Sequence, residues 1–184
     1  MRRRSFLKTA AAILPTMGLK GFAVGEVPAT ASQTRIHPVD AGQDRFGETH
    51  SLGFSSILFK TVPAETSGGL FIVEHTNLTR GGPPLHLHLH QEEWFYVMQG
   101  DVLFQIGDTQ KLLHAGDSIL GPRGIPHTFS LVGDKPGRML IAFTPAGKME
   151  QFFREAAVPG QPKLDAEIFR RHDMRVVGPP LPVS

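Results

Sequence analysis

Residues 83–100 read PPLHLHLHQEEWFYVMQG. His86, His88 and His90 alternate with leucines, and a period of two is typical of a β-strand, whose side chains point to opposite faces in turn. Imidazoles side by side on one face of a strand make a poor apolar core, but neutral rings can share one metal ion. The stretch therefore predicts part of a metal site, and the rest of the chain has to complete it.

The composition limits the classes of protein to which the chain can belong. It has 184 residues, a hydrophobic fraction of 40% and no Cys, which excludes disulfides, thiolate ligands and a cysteine nucleophile. Any metal must then be bound by His and carboxylate side chains. Residues 1–31 carry five of the nineteen basic and one of the seventeen acidic residues, so the remainder has a net charge of −2. It has no basic stripe, and nucleic-acid binding is not indicated.

The N-terminal 31 residues predict an export signal. Arg3-Arg4-Ser5-Phe6-Leu7-Lys8 resembles the twin-arginine consensus of bacterial signal peptides, and Ala29-Thr30-Ala31 forms a small-x-small cleavage site. The apolar stretch between them is short and interrupted, which makes a membrane anchor the weaker alternative. The resemblance implies a bacterial protein exported in its folded state to the periplasm or the cell surface.

Short strand-like segments separated by turn signals fill the middle of the chain. Gly, Pro and Asp mark the turns, and the segments between them are rich in β-branched, aromatic and other apolar residues. We expect strands at residues 55–62, 70–78, 85–90, 93–98, 102–106, 110–114, 118–120, 126–132 and 138–144. Strands this short with turns this frequent predict an all-β sandwich or barrel.

The pattern changes to that of helices after Pro145. Residues 147–158 place Met149, Phe152 and Phe153 at helical spacing, and a second short helix is expected within residues 164–174. An extended, proline-rich tail follows. We therefore divide the chain into a signal peptide at 1–31, an N-terminal arm at 32–54 that packs over the domain or onto a partner, a β-barrel at 55–146, and the C-terminal helices with the tail at 147–184.

Two motifs connect the opening histidines to a glutamate and to a later histidine. The first is His86-x-His88-x4-Glu93-x6-Gly100, and the second is Gly116-x5-Pro122-x-Gly124-x2-His127. Together they resemble the two signature motifs of the cupin superfamily, and the resemblance covers roughly residues 55–144. Arg80 stands where the family's first motif opens with Gly, and Leu131 stands where the second ends with Asn. Neither position is a metal ligand in the family.

The resemblance implies a fold and a metal site. The fold is an all-β cupin jelly-roll barrel, here with a C-terminal helical appendage. The site is one divalent transition metal, Fe, Mn, Ni, Cu, Co or Zn, bound by His86, His88, Glu93 and His127. His90 is interpreted as a surface or supporting residue, since counting from it would move the glutamate off the family spacing. Solvated or structural roles are expected for His37, His50, His75, His114 and His172.

The first motif also resembles that of quercetinase-like dioxygenases. This resemblance implies an oxidoreductase that binds an enolate-like or catecholate-like oxygen of an aromatic or enolic small molecule and reacts it with dioxygen. Glu93 is then the predicted catalytic base as well as a ligand. An apolar pocket, which suits a flat substrate, is expected from Phe95, Val97, Phe104, Phe129 and Leu131.

Three further expectations complete the functional hypothesis. Two alternatives to an oxygenase stay open: a metal-assisted isomerase or hydrolase, and a non-catalytic periplasmic protein that binds or stores metal. No Lys or Arg cluster occupies the predicted inward positions, which weakens a reaction on phosphorylated sugars. Resemblance to cupins that exchange N-terminal arms implies a homodimer.

Overall fold

Two antiparallel sheets dominate residues 37–182, the part of the chain that this computed structural model describes. The predicted signal peptide at 1–31 lies outside the described residues. The strands are β1 (His50–Ser51), β2 (Ser56–Thr61), β3 (Phe71–Leu78), β4 (Leu85–His88), β5 (Glu92–Gln99), β6 (Asp101–Ile106), β7 (Thr109–Leu113), β8 (Ser118–Gly121), β9 (His127–Val132), β10 (Gly137–Thr144) and β11 (Met174–Gly178). One sheet has the order β1-β2-β3-β10-β5-β8, and the other β11-β4-β9-β6-β7. This confirms the predicted all-β jelly-roll architecture.

Two α-helices follow β10, as the sequence predicts: α1 (Met149–Ala156) and α2 (Ala166–Arg171). A 3₁₀ turn lies at Pro63–Glu65. The N-terminus of α2 is capped by Asp165, whose side chain accepts a hydrogen bond of 3.0 Å from the Ile168 amide. None of the helices in the described part of the chain combines the length and the apolar character that a bilayer crossing requires.

The C-terminal tail begins differently from the prediction. Its first residues form β11, which pairs antiparallel with β4, with Met174 opposite His88 and Val176 opposite His86. Local sequence could not show this partner, because strand pairing is a long-range choice. The tail therefore lies directly beside the strand that carries two of the predicted ligands.

β5 and β10 show how alternation builds the core. Phe95 and Val97 of β5 and Ile141 and Phe143 of β10 are buried, while the residues between them are more exposed. The strands pair antiparallel with Phe143 opposite Glu93. Burial of each large apolar side chain contributes roughly 1.5–3 kcal/mol relative to leaving it exposed. The same alternation that fills the core therefore turns Glu93 inward.

A buried carboxylate holds the described part of the arm against the barrel. Asp44 accepts hydrogen bonds from the amides of Phe59 at 2.6 Å, Phe46 at 2.8 Å and Glu48 at 3.2 Å. Further along, the Ser51 amide donates to the Ala157 carbonyl at 2.8 Å, which joins the arm to the residue after α1. The described arm thus packs on its own chain.

We predict that Asp44→Ala destabilises the protein by about 1–3 kcal/mol, because it leaves the buried Phe59 amide and two partly buried amides without their acceptor. Denaturant unfolding with fluorescence detection measures the change. Asp134→Ala is the matched control, since Asp134 is exposed and forms a surface ion pair with Arg80; it should change stability by less than about 0.5 kcal/mol. Equal effects of the two substitutions would contradict the role assigned to Asp44.

Candidate metal centre

Three strands bring the four predicted ligands together. β4 carries His86 and His88, β5 carries Glu93 and β9 carries His127. His86 lies opposite His127 in the register of β4 and β9. Each of the four side chains offers a ligand atom, these atoms lie within 4.8 Å of one another, and all four residues are buried. The cluster could hold a metal ion.

The atoms around the Glu93 carboxylate have the separations expected of ligands to one ion. Oε2 lies 2.7 Å from Nε2 of His127 and 3.0 Å from Nε2 of His88. Ligand atoms that each bind one ion at roughly 2.0–2.2 Å are about 3 Å apart when they are neighbours. The His88 contact lacks the angle of a hydrogen bond, and neither ring nitrogen of His88 has a hydrogen-bond partner. A buried imidazole with two unpaired nitrogens is costly unless an ion uses one of them.

Backbone carbonyls orient the other two imidazoles. Nδ1 of His86 lies 2.8 Å from the Pro84 carbonyl oxygen, and Nδ1 of His127 lies 3.0 Å from that of Ile125. Each Nδ1–H therefore donates to a carbonyl, which leaves a lone pair on Nε2 of the neutral ring. For His127, this lone pair faces the Glu93 oxygen. Two lone-pair atoms 2.7 Å apart require a cation between them, which is either a proton or a shared metal ion.

Burial and neighbouring charges keep the site ready for a cation. Burial lowers the pKa of His86 to about 3, and charges on His127 and His88 add to this effect. Burial by itself would raise the pKa of Glu93, but contacts with His127 and His88 together bring it well below its usual range. An anionic carboxylate beside the neutral imidazole of His86 suits a divalent ion, and metal binding would release the proton that Glu93 and His127 otherwise share.

Four of the remaining histidines lie outside the cluster. His90 is exposed and lies outside the cluster. His114 is exposed beside Asp101, His50 stacks on Phe59, and the Nδ1 of His172 lies 2.8 Å from the Ile168 carbonyl oxygen. These contacts are structural and do not reach the cluster.

His75 is the residue that the sequence reasoning missed. It is 2% exposed, and its Nδ1 lies 2.9 Å from Oγ of Ser55, while its Nε2 is buried without a hydrogen-bond partner. It lines the same cavity as His86, His88 and Glu93. Its sequence signal was an apolar strand, LFIVEHTNL, with one histidine at an inward position. That signal alone does not separate a structural histidine from a site residue.

The cavity beside the cluster is small and mostly apolar. Its volume is about 30 Å³, and His75, His86, His88 and Glu93 are its only charged or imidazole-bearing lining residues among those described. Of the five apolar residues expected to form the pocket, only Phe129 lines it, while Phe95, Val97, Phe104 and Leu131 are buried elsewhere in the core. The rest of the lining includes residues of the helical appendage, Met149, Phe152, Phe153 and Phe169. The expectation was wrong because it assigned all inward residues to one chamber.

The two departures from the family motifs lie away from the ligands. Arg80 forms an exposed ion pair with Asp134 at 2.8 Å. Leu131 is buried, and a Cβ added to Gly100 or to Gly137 would come close to its Cδ1 atom. A further glycine was not singled out by the motifs: a Cβ on Gly121 would lie 3.1 Å from Nδ1 of His127. A side chain there would press on the ligand ring.

Comparison with known proteins agrees with this geometry. Residues 77–143 match the family model Cupin_2, described as "Cupin domain". The match supports the resemblance to the cupin superfamily over this part of the chain. An RmlC-like cupin from Shewanella frigidimarina is 20% identical and aligns over 62% of this chain and 96% of its own, with a TM-score of 0.52. The nucleoside dehydratase Pac13, from Streptomyces, is 15% identical over 73% of this chain and 87% of its own, with a TM-score of 0.50.

At such identities the cupin neighbours show the fold alone. No curated protein gave a significant match to this chain. The resemblance to quercetinase-like dioxygenases and the twin-arginine signal stay predictions, and the assignment of an activity has to come from the site.

We predict that His88→Ala and Glu93→Ala each remove most of the bound metal, because each deletes one of four clustered ligand atoms. Metal content of purified protein, measured by mass spectrometry, tests this. His90→Ala is the matched control and should retain wild-type metal content. Loss of metal from His90→Ala would instead show that the ligand register is displaced by two residues.

The metal-free protein should lose stability as the pH falls from 6.5 to 4. Burial lowers the pKa of His75 from 6.5 to about 4, and Glu93 opposes this shift only in part. Between these values the unfolded chain binds a proton that the folded one does not, so stability rises with pH there. The contribution of His75 is on the order of 3 kcal/mol. Urea unfolding at several pH values should show a shallower dependence for His75→Phe, and identical profiles would contradict the assignment.

Proposed function

We propose that this chain is a metal-dependent oxidoreductase of the dioxygenase type, which acts on a compact enolic or catechol-like molecule. The supporting observation is that His86, His88 and Glu93 form part of the wall of a largely apolar cavity. A molecule in that cavity would meet these metal-binding side chains in largely apolar surroundings. A transition metal bound by these residues would supply Lewis acidity and, if it is redox-active, electron transfer to dioxygen.

The protein's own residues would do three things in such a reaction. Apolar side chains such as Phe143 and Phe152 exclude water from the cavity. Glu93 is the single carboxylate among the described lining residues, so a proton leaving an enol or a catechol has Glu93 as its carboxylate acceptor. The carbonyls that hold His86 and His127 fix which ring nitrogen faces the centre.

The cavity volume favours a small substrate. A volume of about 30 Å³ holds about two or three water-sized groups. A three-ring flavonol exceeds this space unless the residues of α1 and α2 that line the cavity move aside. A compact enolic molecule also exceeds two or three water-sized groups, but it requires a smaller displacement of these residues. The cavity therefore favours the smaller members of the substrate class expected from the first motif.

A second candidate is a metal-binding or storage protein without catalysis. The small volume of the cavity favours it, because a storage site needs no room for substrate. The Lewis-acid isomerase or hydrolase stays an alternative without a specific observation in its favour. The dehydratase among the similar structures shows only that this fold is compatible with non-oxidative chemistry.

Oxygen uptake separates these candidates. The protein is purified from its native host, its metal is measured by mass spectrometry, and uptake is followed with catechol, 3-hydroxyflavone and pentane-2,4-dione. We expect the wild type and His90→Ala to take up oxygen with catechol, with pentane-2,4-dione or with both. His88→Ala should lose this uptake. No uptake with any compound at full occupancy of a redox-active metal would reject the oxygenase proposal and leave the storage function and the Lewis-acid alternative.

Export and self-association complete the proposal. The twin-arginine resemblance of residues 3–8 supports export to the periplasm or cell surface. A homodimer is supported by the family resemblance only. Subcellular fractionation of the native host and light scattering of the purified protein test these two predictions separately.

A further inference from the structure

His75 stands out among the buried polar residues because half of its hydrogen-bonding capacity is unused. Its Nε2 is buried and has no partner, although its other nitrogen lies 2.9 Å from Ser55 Oγ. The ring is 2% exposed and is held edge-on by Phe129 and Phe153, with ring centroids 5.8 Å and 6.2 Å away. An unpaired buried nitrogen is costly, and it belongs to a residue that lines the cavity.

The contact with Ser55 decides which role the free nitrogen takes. No other hydrogen bond of the Ser55 hydroxyl is found among the described residues, so its hydrogen is best used in donating to Nδ1 of His75. The imidazole then carries its hydrogen on Nε2. The opposite tautomer would leave the hydroxyl hydrogen without an acceptor as well as Nε2 without a donor. His75 therefore presents an N–H group to the cavity.

We propose that His75 is a ligand-contacting residue of the metal pocket, whose Nε2–H donates a hydrogen bond to a second oxygen of a molecule that binds the metal through its first. This inference rests on the proposed function and names the ligand class of the same site. The ligand is a compact molecule with two oxygens separated by a short carbon chain.

Charge narrows the class further. A divalent ion with the Glu93 carboxylate leaves one net positive charge, and no Lys or Arg lines the described cavity. A buried monoanion is balanced by that charge, whereas a dianion would have no second cation. The ring of His75 is neutral near neutral pH, since burial lowers its pKa to about 4. The geometry therefore suits an enolate of a 1,3-dicarbonyl compound, with one oxygen on the metal and one on His75.

Two small probes test this contact without any turnover. Cobalt(II)-loaded protein is titrated with two probes. Pentane-2,4-dione offers a second oxygen that can accept a hydrogen bond from His75. The second nitrogen of imidazole is a donor, and the Nε2–H of His75 cannot accept a hydrogen bond from it. Changes in the cobalt absorption bands report binding. Cobalt content near one per chain, checked by mass spectrometry, shows that each variant retains the metal site.

We expect His75→Phe to weaken binding of pentane-2,4-dione by about tenfold and to change imidazole binding by less than about twofold. His75→Gln keeps an N–H donor and should recover most of the loss. Ser55→Ala leaves His75 in place but removes the hydrogen bond that selects its tautomer. This substitution should weaken binding of pentane-2,4-dione by about threefold. It is the second variant if His75→Phe does not fold.

The outcomes separate this inference from the proposed function. Equal dione affinity in the wild type and the variants, a parallel loss of both probes, or no dione binding to the wild type would each overturn the role of His75. None of these results depends on oxygen uptake. Conversely, selective loss of the dione in a protein that consumes no oxygen would support the contact and reject only the oxygenase.

Discussion

The close approach of the Glu93 carboxylate to two imidazoles is the constraint on which the rest of this structure depends. Its Oε2 lies 2.7 Å from His127 and 3.0 Å from His88 in a buried setting. A buried anion is tolerated only when it is balanced by positive charge. The carbonyls that bind the far nitrogens of His86 and His127 leave lone pairs facing inward. Charge, tautomer and burial therefore all call for a cation at one point.

The fold supplies this arrangement through strand register. β4 and β9 meet with His86 opposite His127, and β5 turns Glu93 inward beside Phe143 of β10. A shift of one residue in any of these strands would move its ligand to the opposite face of the sheet. The apolar core residues that fix the register are therefore also what fixes the metal site. The appendage contributes in a different way, because Phe152 and Phe169 line the cavity.

The fold and the ligand set could be anticipated from the chain because their signals are local. Alternation in β5 predicted both the strand and the inward direction of Glu93, and the resemblance to the second cupin motif singled out His127 from the other histidines. The pocket could not be predicted in the same way. Phe95 and Phe129 are both inward and apolar, yet only Phe129 borders the cavity. Inward direction follows from a period of two, but distance from the centre depends on how the two sheets curve.

His75 separates what local sequence patterns predict from what only tertiary contacts show. The sequence by itself predicted a barrel of short strands, because alternation is a property of neighbouring residues. Its resemblance to the two cupin motifs implied His86, His88, Glu93 and His127 as candidate ligands. Only the tertiary structure decided that His75 shares their cavity, that its Nε2 has no partner, and that the tail pairs with β4. These features depend on contacts between residues distant in the chain. No local pattern encodes such contacts.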